Sequence, residues 1–148
     1  METYQELRDR QQKEVNAFPM VFAFSDKQFA EAMRELGLDP TETDKVYAIP
    51  GTGGFYRRSD APALHEMFDR HERERQEAIE ADETGDGFVF QMFREELANH
   101  EYSYTGELDE TIEALGLTTE EINSSPKLLH GLEKAIKAQF PDAMGAKA

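Results

Sequence analysis

The residues whose types and spacing come nearest to a chemical site are Asp82, Thr84 and Asp86, in the run Asp82-Glu83-Thr84-Gly85-Asp86-Gly87-Phe88-Val89. Oxygen side chains at alternate positions, a Gly at the sixth and an aliphatic residue at the eighth match the front half of a calcium-binding loop. Such a loop turns tightly so that its oxygens converge on one cation. Its twelfth position should supply a bidentate Glu; here it is Phe93, and Glu95 falls out of register. The expectation is therefore an ordinary interhelical loop in which Asp86 caps the next helix. Ca²⁺ binding through Asp82, Thr84 and Asp86 is the alternative, and no other cofactor is expected.

Other motifs are weaker. His65-Glu66-Met67-Phe68-Asp69 is one residue from the zinc-protease pattern HExxH, but Asp69 replaces the second His and no third ligand can be placed. Gly51-Thr52-Gly53-Gly54 could cradle a phosphate only at the start of a helix. Phe55-Tyr56-Arg57-Arg58 follows and is strand-like, which makes a hairpin turn the better reading. Residues 112–138 have the cadence of a helix-turn-helix, yet Lys127, Lys134 and Lys137 on so acidic a chain make a poor DNA reader; a packed helical hairpin is expected. No Ser/His/Asp set or informative carboxylate pair stands out, and the chain is read as non-enzymatic.

Charge is the strongest signal. The chain has 31 Asp/Glu against 16 Lys/Arg, a net of −15. Between Asp60 and Glu113 there are 17 acids, 4 Arg and no Lys, so that this stretch alone carries −13. Such a field repels nucleic acid and anionic lipid and attracts basic protein surfaces or cations. Glu72, Glu74, Glu77, Glu80, Asp82, Glu83, Glu95 and Glu96, as exposed acids of the long middle helix and its neighbours, are the candidate contacts for a basic protein partner. A sharper version is a nucleic-acid mimic with carboxylates in phosphate-like rows, against which the interleaved Arg70, Arg73 and Arg75 count. The bland alternative is a merely solvated face. Oligomeric state is not legible.

At 148 residues, with 39% hydrophobic content and 15 Phe and Tyr, one folded domain over residues 1–140 is expected, with a frayed tail at 141–148. Cysteine is absent, which excludes disulfides, thiolate metal sites and cysteine nucleophiles. The N-terminus lacks the basic start and apolar stretch of a secretory signal, and the richest apolar run, residues 17–24, is too short to cross a bilayer. A cytoplasmic, non-membrane protein is expected.

The elements that must position these residues follow from caps and periodicity. Thr3 with Glu6 opens a helix that Pro19 ends; residues 20–24 read as a strand; Ser25 with Gln28 opens a helix that Gly37 closes. Residues 45–49 and 55–58 read as strands. A long helix then runs to about Ala81, burying Leu64, Met67, Phe68, His71, Ala78 and Ile79, with Asp69/Arg73, Arg70/Glu74 and Arg73/Glu77 as four-spaced pairs on its outer face. Val89, Met92, Phe93 and Leu97 mark another helix, and residues 102–105 a fourth strand. Three helices finish the chain, at 108–115, after Thr118, and after Ser125-Pro126. The fold expected is α+β: a mostly antiparallel sheet of three to four strands covered by about six helices.

Several stretches also carry a resemblance: residues 11–20 and 22–29, His65 to Phe68 through Thr84 to Phe88, Asn99-His100-Glu101-Tyr102, and Leu128-Leu129-His130-Gly131-Leu132. Together they resemble uncharacterised small acidic proteins of Firmicutes and their phages and mobile elements, over roughly residues 4–138. The resemblance implies a bacterial or phage cytoplasmic setting and no assigned activity.

Overall fold

The computed structural model describes residues 2–140, and the tail expected at 141–148 lies outside the described residues. The elements are α1 (Tyr4–Ala17), β1 (Met20–Phe22), α2 (Asp26–Glu35), β2 (Val46–Ile49), β3 (Gly54–Arg57), α3 (Ala61–Ala81), α4 (Phe88–Asn99), α5 (Tyr102–Thr105), α6 (Asp109–Ala114), α7 (Thr119–Ser124) and α8 (Pro126–Ala138). The class is α+β, with one three-stranded antiparallel sheet among the described residues.

Local chemistry explains most boundaries. Thr3 Oγ1 accepts the Glu6 N–H at 3.1 Å while Glu6 Oε1 accepts the Thr3 N–H at 2.9 Å, the reciprocal box that starts α1. Ser25, Thr118 and Ser125 cap α2, α7 and α8 in turn, each accepting a backbone N–H three residues on. Gln28 answers one residue earlier than a standard box, accepting the Phe24 N–H at 2.8 Å.

Contacts group the residues into two compact units, to both of which α1 and α3 contribute residues. Residues 11–73 form the sheet unit. Its strand order is β1-β3-β2, so the β1–α2–β2 connection crosses over β3. Because alternate side chains leave a strand on opposite faces, Val21, Val46 and Phe55 pack with Ala32 and Met33 of α2 and with Leu36 just after it. Met20, Ile49 and Tyr56 pack on the other face with Val15, Phe18, Leu64 and Met67. Phe68, expected inside, is 46% exposed. Leu64, Met67 and His71 take the inward positions of α3, and a residue directly after Met67 is turned about 100° away from them.

The helical unit comprises the described residues 2–10 and 74–140. Val89, Met92, Phe93 and Leu97 of α4 are fully buried, with Leu128, Leu132 and Ala135 of α8 in the same core. Residues 102–105 are not the fourth strand expected: they make one helical turn, closed by the Gly106 N–H on Tyr102 O at 2.8 Å. Tyr and Thr favour strands only where an edge is there to pair with. At this turn the chain is bracketed instead by left-handed backbone at Glu101 (φ 55°) and Gly106 (φ 69°).

Candidate functional site

The acidic candidates divide by environment. Asp82, at the end of α3, is buried, and its carboxylate faces the start of α4. Oδ1 accepts the Gly85 N–H at 3.0 Å, and Oδ2 accepts those of Gly87 at 3.2 Å and Val89 at 2.9 Å. Burial pushes this carboxyl upward, but the N–H groups of Val89, Gly85, Thr84 and Gly87 outweigh it and hold the group below the ordinary aspartate range. Asp82 is therefore the residue that satisfies the first turn of α4, from a position five residues ahead of Gly87, the residue preceding the helix.

Asp86, expected to be that cap, is turned outward. Its Oδ1 meets His130 Nε2 at 2.7 Å and Lys134 Nζ at 3.3 Å, and the two partners, His130 first, keep its carboxyl low. Thr84 Oγ1 accepts the Asp86 N–H at 3.1 Å. The side chains of the suggested calcium loop thus do not converge on one point: Thr84 Oγ1 donates to Asp86 Oδ2 at 3.3 Å, but the Asp82 carboxylate is turned to backbone amides and Asp86 Oδ1 to two basic side chains. Among the described residues no three His, Asp or Glu side chains come together as metal ligands. Gly85 (φ +92°) brings the loop against α8, where a Cβ would collide with the Lys127 carbonyl oxygen.

Glu96 is also inside, not on a face. Tyr4 Oη donates to its Oε2 at 2.5 Å, Arg8 Nη1 donates to the same oxygen at 2.9 Å, and Asn99 Nδ2 reaches Oε1 at 3.3 Å. Burial, then the neighbouring carboxylate, raises the Tyr4 hydroxyl above its ordinary range. The sequence held a signal for this. Glu96 stands seven, four and three residues after Val89, Met92 and Phe93, within the stripe that faces the core. Its neighbour Glu95 is half-buried at 3.6 Å from Arg8; burial raises its carboxyl, Arg8 opposing.

Glu74 is half-buried and pairs with Arg10 Nη1 at 3.0 Å. Glu77, Glu80 and Glu83 are exposed, and among the described residues their carboxylates meet no hydrogen-bond or ion-pair partner. Glu72 is exposed and belongs to the sheet unit. Of the eight candidates, three thus form an open acidic run over α3 and the residues after it. Outside that set, Glu107, Asp109, Glu113 and Glu120 are exposed carboxylates of the same unit that the reading of the middle helix passed over. In total the described helical unit carries 19 Asp/Glu and 7 Lys/Arg, a net of −12, whereas the sheet unit carries 11 and 8, a net of −3.

Two of the three lysines of the C-terminal hairpin make contacts within this unit, and Lys137 is exposed. Lys127 Nζ donates to the Ile79 and Glu80 carbonyls at 2.9 and 3.3 Å, satisfying the end of α3, and Lys134 lies 4.6 Å above the Phe90 ring. In the sheet unit, Arg70 and then His71 bind Glu14 and hold its carboxyl down to about 2, while His65 is exposed. The Gly51–Gly53 stretch is the hairpin turn expected, leading into β3.

The family of unknown function DUF7659 matches residues 3–138, and the chain belongs to that family. No curated protein and no solved structure matches.

Proposed function

We propose that this member of a family without assigned chemistry is a non-enzymatic binding protein that engages a basic protein surface through its helical unit. The observation that carries the reading is the segregation of charge: −12 on the helical unit against −3 on the sheet unit. Within the helical unit, the carboxylates of Glu77, Glu80 and Glu83 are spent on no hydrogen bond or ion pair among the described residues. Unpaired surface carboxylates of one sign steer a cationic partner and speed encounter. Asp82 and Glu96 fall out of the proposed surface because both serve inside the fold.

The nucleic-acid-mimic version asks for an unbroken row of free carboxylates. Arg10 on Glu74 and Arg8 on Glu95 and Glu96 take three of the eight candidate carboxylates out of such a row, so the plain protein-binding reading is preferred. The proposed setting is the cytoplasm of a Firmicute or of its phage-infected cell. That source rests on the resemblance alone, and the lack of cysteine is compatible with a reducing compartment; among the described residues no helix is long and apolar enough to cross a membrane.

The test compares the wild type with Glu77→Gln/Glu80→Gln/Glu83→Gln as bait in an extract of the native cells. A basic protein retained by the wild type, released by raised salt and lost with the triple variant is the expected result. A partner held equally by both baits would remove the acidic run from the interface.

A further inference from the structure

The sheet unit carries a second surface of a different kind. Because β3 is central, the outer side of β2 has no strand beside it among the described residues. Natural proteins guard such edges with Lys, Pro, bulges or a covering element. Val46-Tyr47-Ala48-Ile49 contains neither charge nor proline, and its pairing with β3 runs without a bulge from Val46↔Arg57 to Ile49↔Gly54. Tyr47 and Ala48 are exposed. In an antiparallel strand about half of the amides and carbonyls point away from the partner, so this edge offers an open hydrogen-bonding ladder.

Beside it, on the face shared with α2, lies a cavity of about 530 Å³. Val46, Ala48, Phe29 and Phe55 give it apolar walls, and Phe24, 78% exposed, stands at its rim. Phe24 is held there by the hairpin turn: the Gly53 position leaves room for its ring, where a Cβ would lie 2.5 Å away, and the Ala23 N–H donates to Gly53 O at 3.0 Å. The one charged residue of the lining is Asp26. Volume and apolar character fall in the range of pockets that take a ligand side chain or small molecule.

We propose that β2 accepts an extended segment of another protein as a fourth strand, with alternate apolar side chains entering this cavity and a Lys or Arg beside Asp26. Each part of the occupant answers one feature. The open ladder selects an extended backbone, since only that presents matching N–H and C=O groups. The cavity lies on one face of the sheet, so it receives every second side chain of an added strand. Asp26, the charged residue of the lining, selects a cationic flank, and the chain charge of −15 disfavours a second copy of the same chain.

The probe is a randomised nonapeptide library selected on the full chain and counter-selected on Ala48→Lys, which places a charge on the edge and in the cavity. Enriched peptides are expected to show apolar residues at every second position with a basic flank. A chosen peptide should lose at least tenfold in affinity when alternate backbone amides are N-methylated and when it meets Ala48→Lys. On the wild type itself, adding the peptide should slow amide exchange of residues 46–49, a readout that does not depend on the variant folding. Enrichment without a two-residue period, indifference to N-methylation, unchanged exchange at 46–49, or no enrichment over the counter-selection would each overturn the proposal. Self-association abolished by Ala48→Lys would overturn it in favour of a second copy.

Discussion

Tyr4 Oη and Glu96 Oε2 lie 2.5 Å apart, joining the first turn of α1 to the last turn of α4 inside the helical core. The Tyr4 ring also meets Phe88 edge-on at 5.5 Å, so that one side chain contributes both an apolar contact and the donor for a buried carboxylate. Tyr4→Phe keeps the ring and removes the donor, leaving Glu96 to Arg8 and Asn99. A hydrogen bond to a charged group is worth about 1.5–3 kcal/mol, and the urea midpoint should fall accordingly with the m value unchanged. Tyr4→Phe as stable as the wild type would show that Arg8 and Asn99 satisfy Glu96 without the Tyr4 hydroxyl.

Asp82 links the fold to acid. Its carboxyl is depressed in the folded chain, so its contribution to stability is full above the ordinary aspartate value of 3.8 and is lost as pH falls through the lower folded value. Asp82→Asn turns one accepting oxygen into an amide donor facing backbone N–H groups and should therefore cost stability at pH 7, by about 1.5–3 kcal/mol as for a lost hydrogen bond to a charged group. It should also flatten the decline in stability of the wild type below pH 4. Equal slopes for the two proteins in acid unfolding would contradict this role.

Gly85 and Gly131 form the seam between the 82–87 loop, α4 and α8. At Gly131 a Cβ would lie 2.5 Å from Val89 Cγ1; at Gly85 the obstacle is the backbone carbonyl of Lys127. Gly131→Ala and Gly85→Ala should each destabilise by on the order of 2–3 kcal/mol through overpacking, Gly85→Ala adding the penalty of a positive φ. Val89→Ala should partly rescue Gly131→Ala and leave Gly85→Ala unrescued. A double-mutant cycle with no coupling between positions 89 and 131 would refute the contact.

Among the described residues, Glu101 is the non-glycine with a positive φ, at 55°. The left-handed region costs an L residue about 1–2 kcal/mol. Glu101→Gly should then raise the melting temperature, or leave it unchanged where the added freedom of the unfolded chain offsets the relief. A clear loss of stability would mean that the Glu101 side chain holds the α4–α5 corner.

What could be read without the structure was whatever is decided within a few residues. Thr3 with Glu6, Ser25, Thr118 and Ser125-Pro126 each announce a helix start because cap and amide are three residues apart. The stripe of Val89, Met92, Phe93 and Leu97 likewise declares a buried face by its own spacing. The concentration of acid between Asp60 and Glu113 is a property of composition and needs no fold.

Which acids are free to act was a tertiary decision. Glu96 is removed from the surface by Tyr4 and Arg8, about ninety residues away in the chain, and Asp86, though exposed, is paired with His130 and Lys134 from α8. The placing of β3 between β1 and β2, which leaves the β2 edge open, likewise depends on pairing across more than thirty residues. Short-range hydrogen bonds and periodicity are written into neighbouring residues. The fate of a charge depends on which distant group reaches it first, and that is set only when the chain packs.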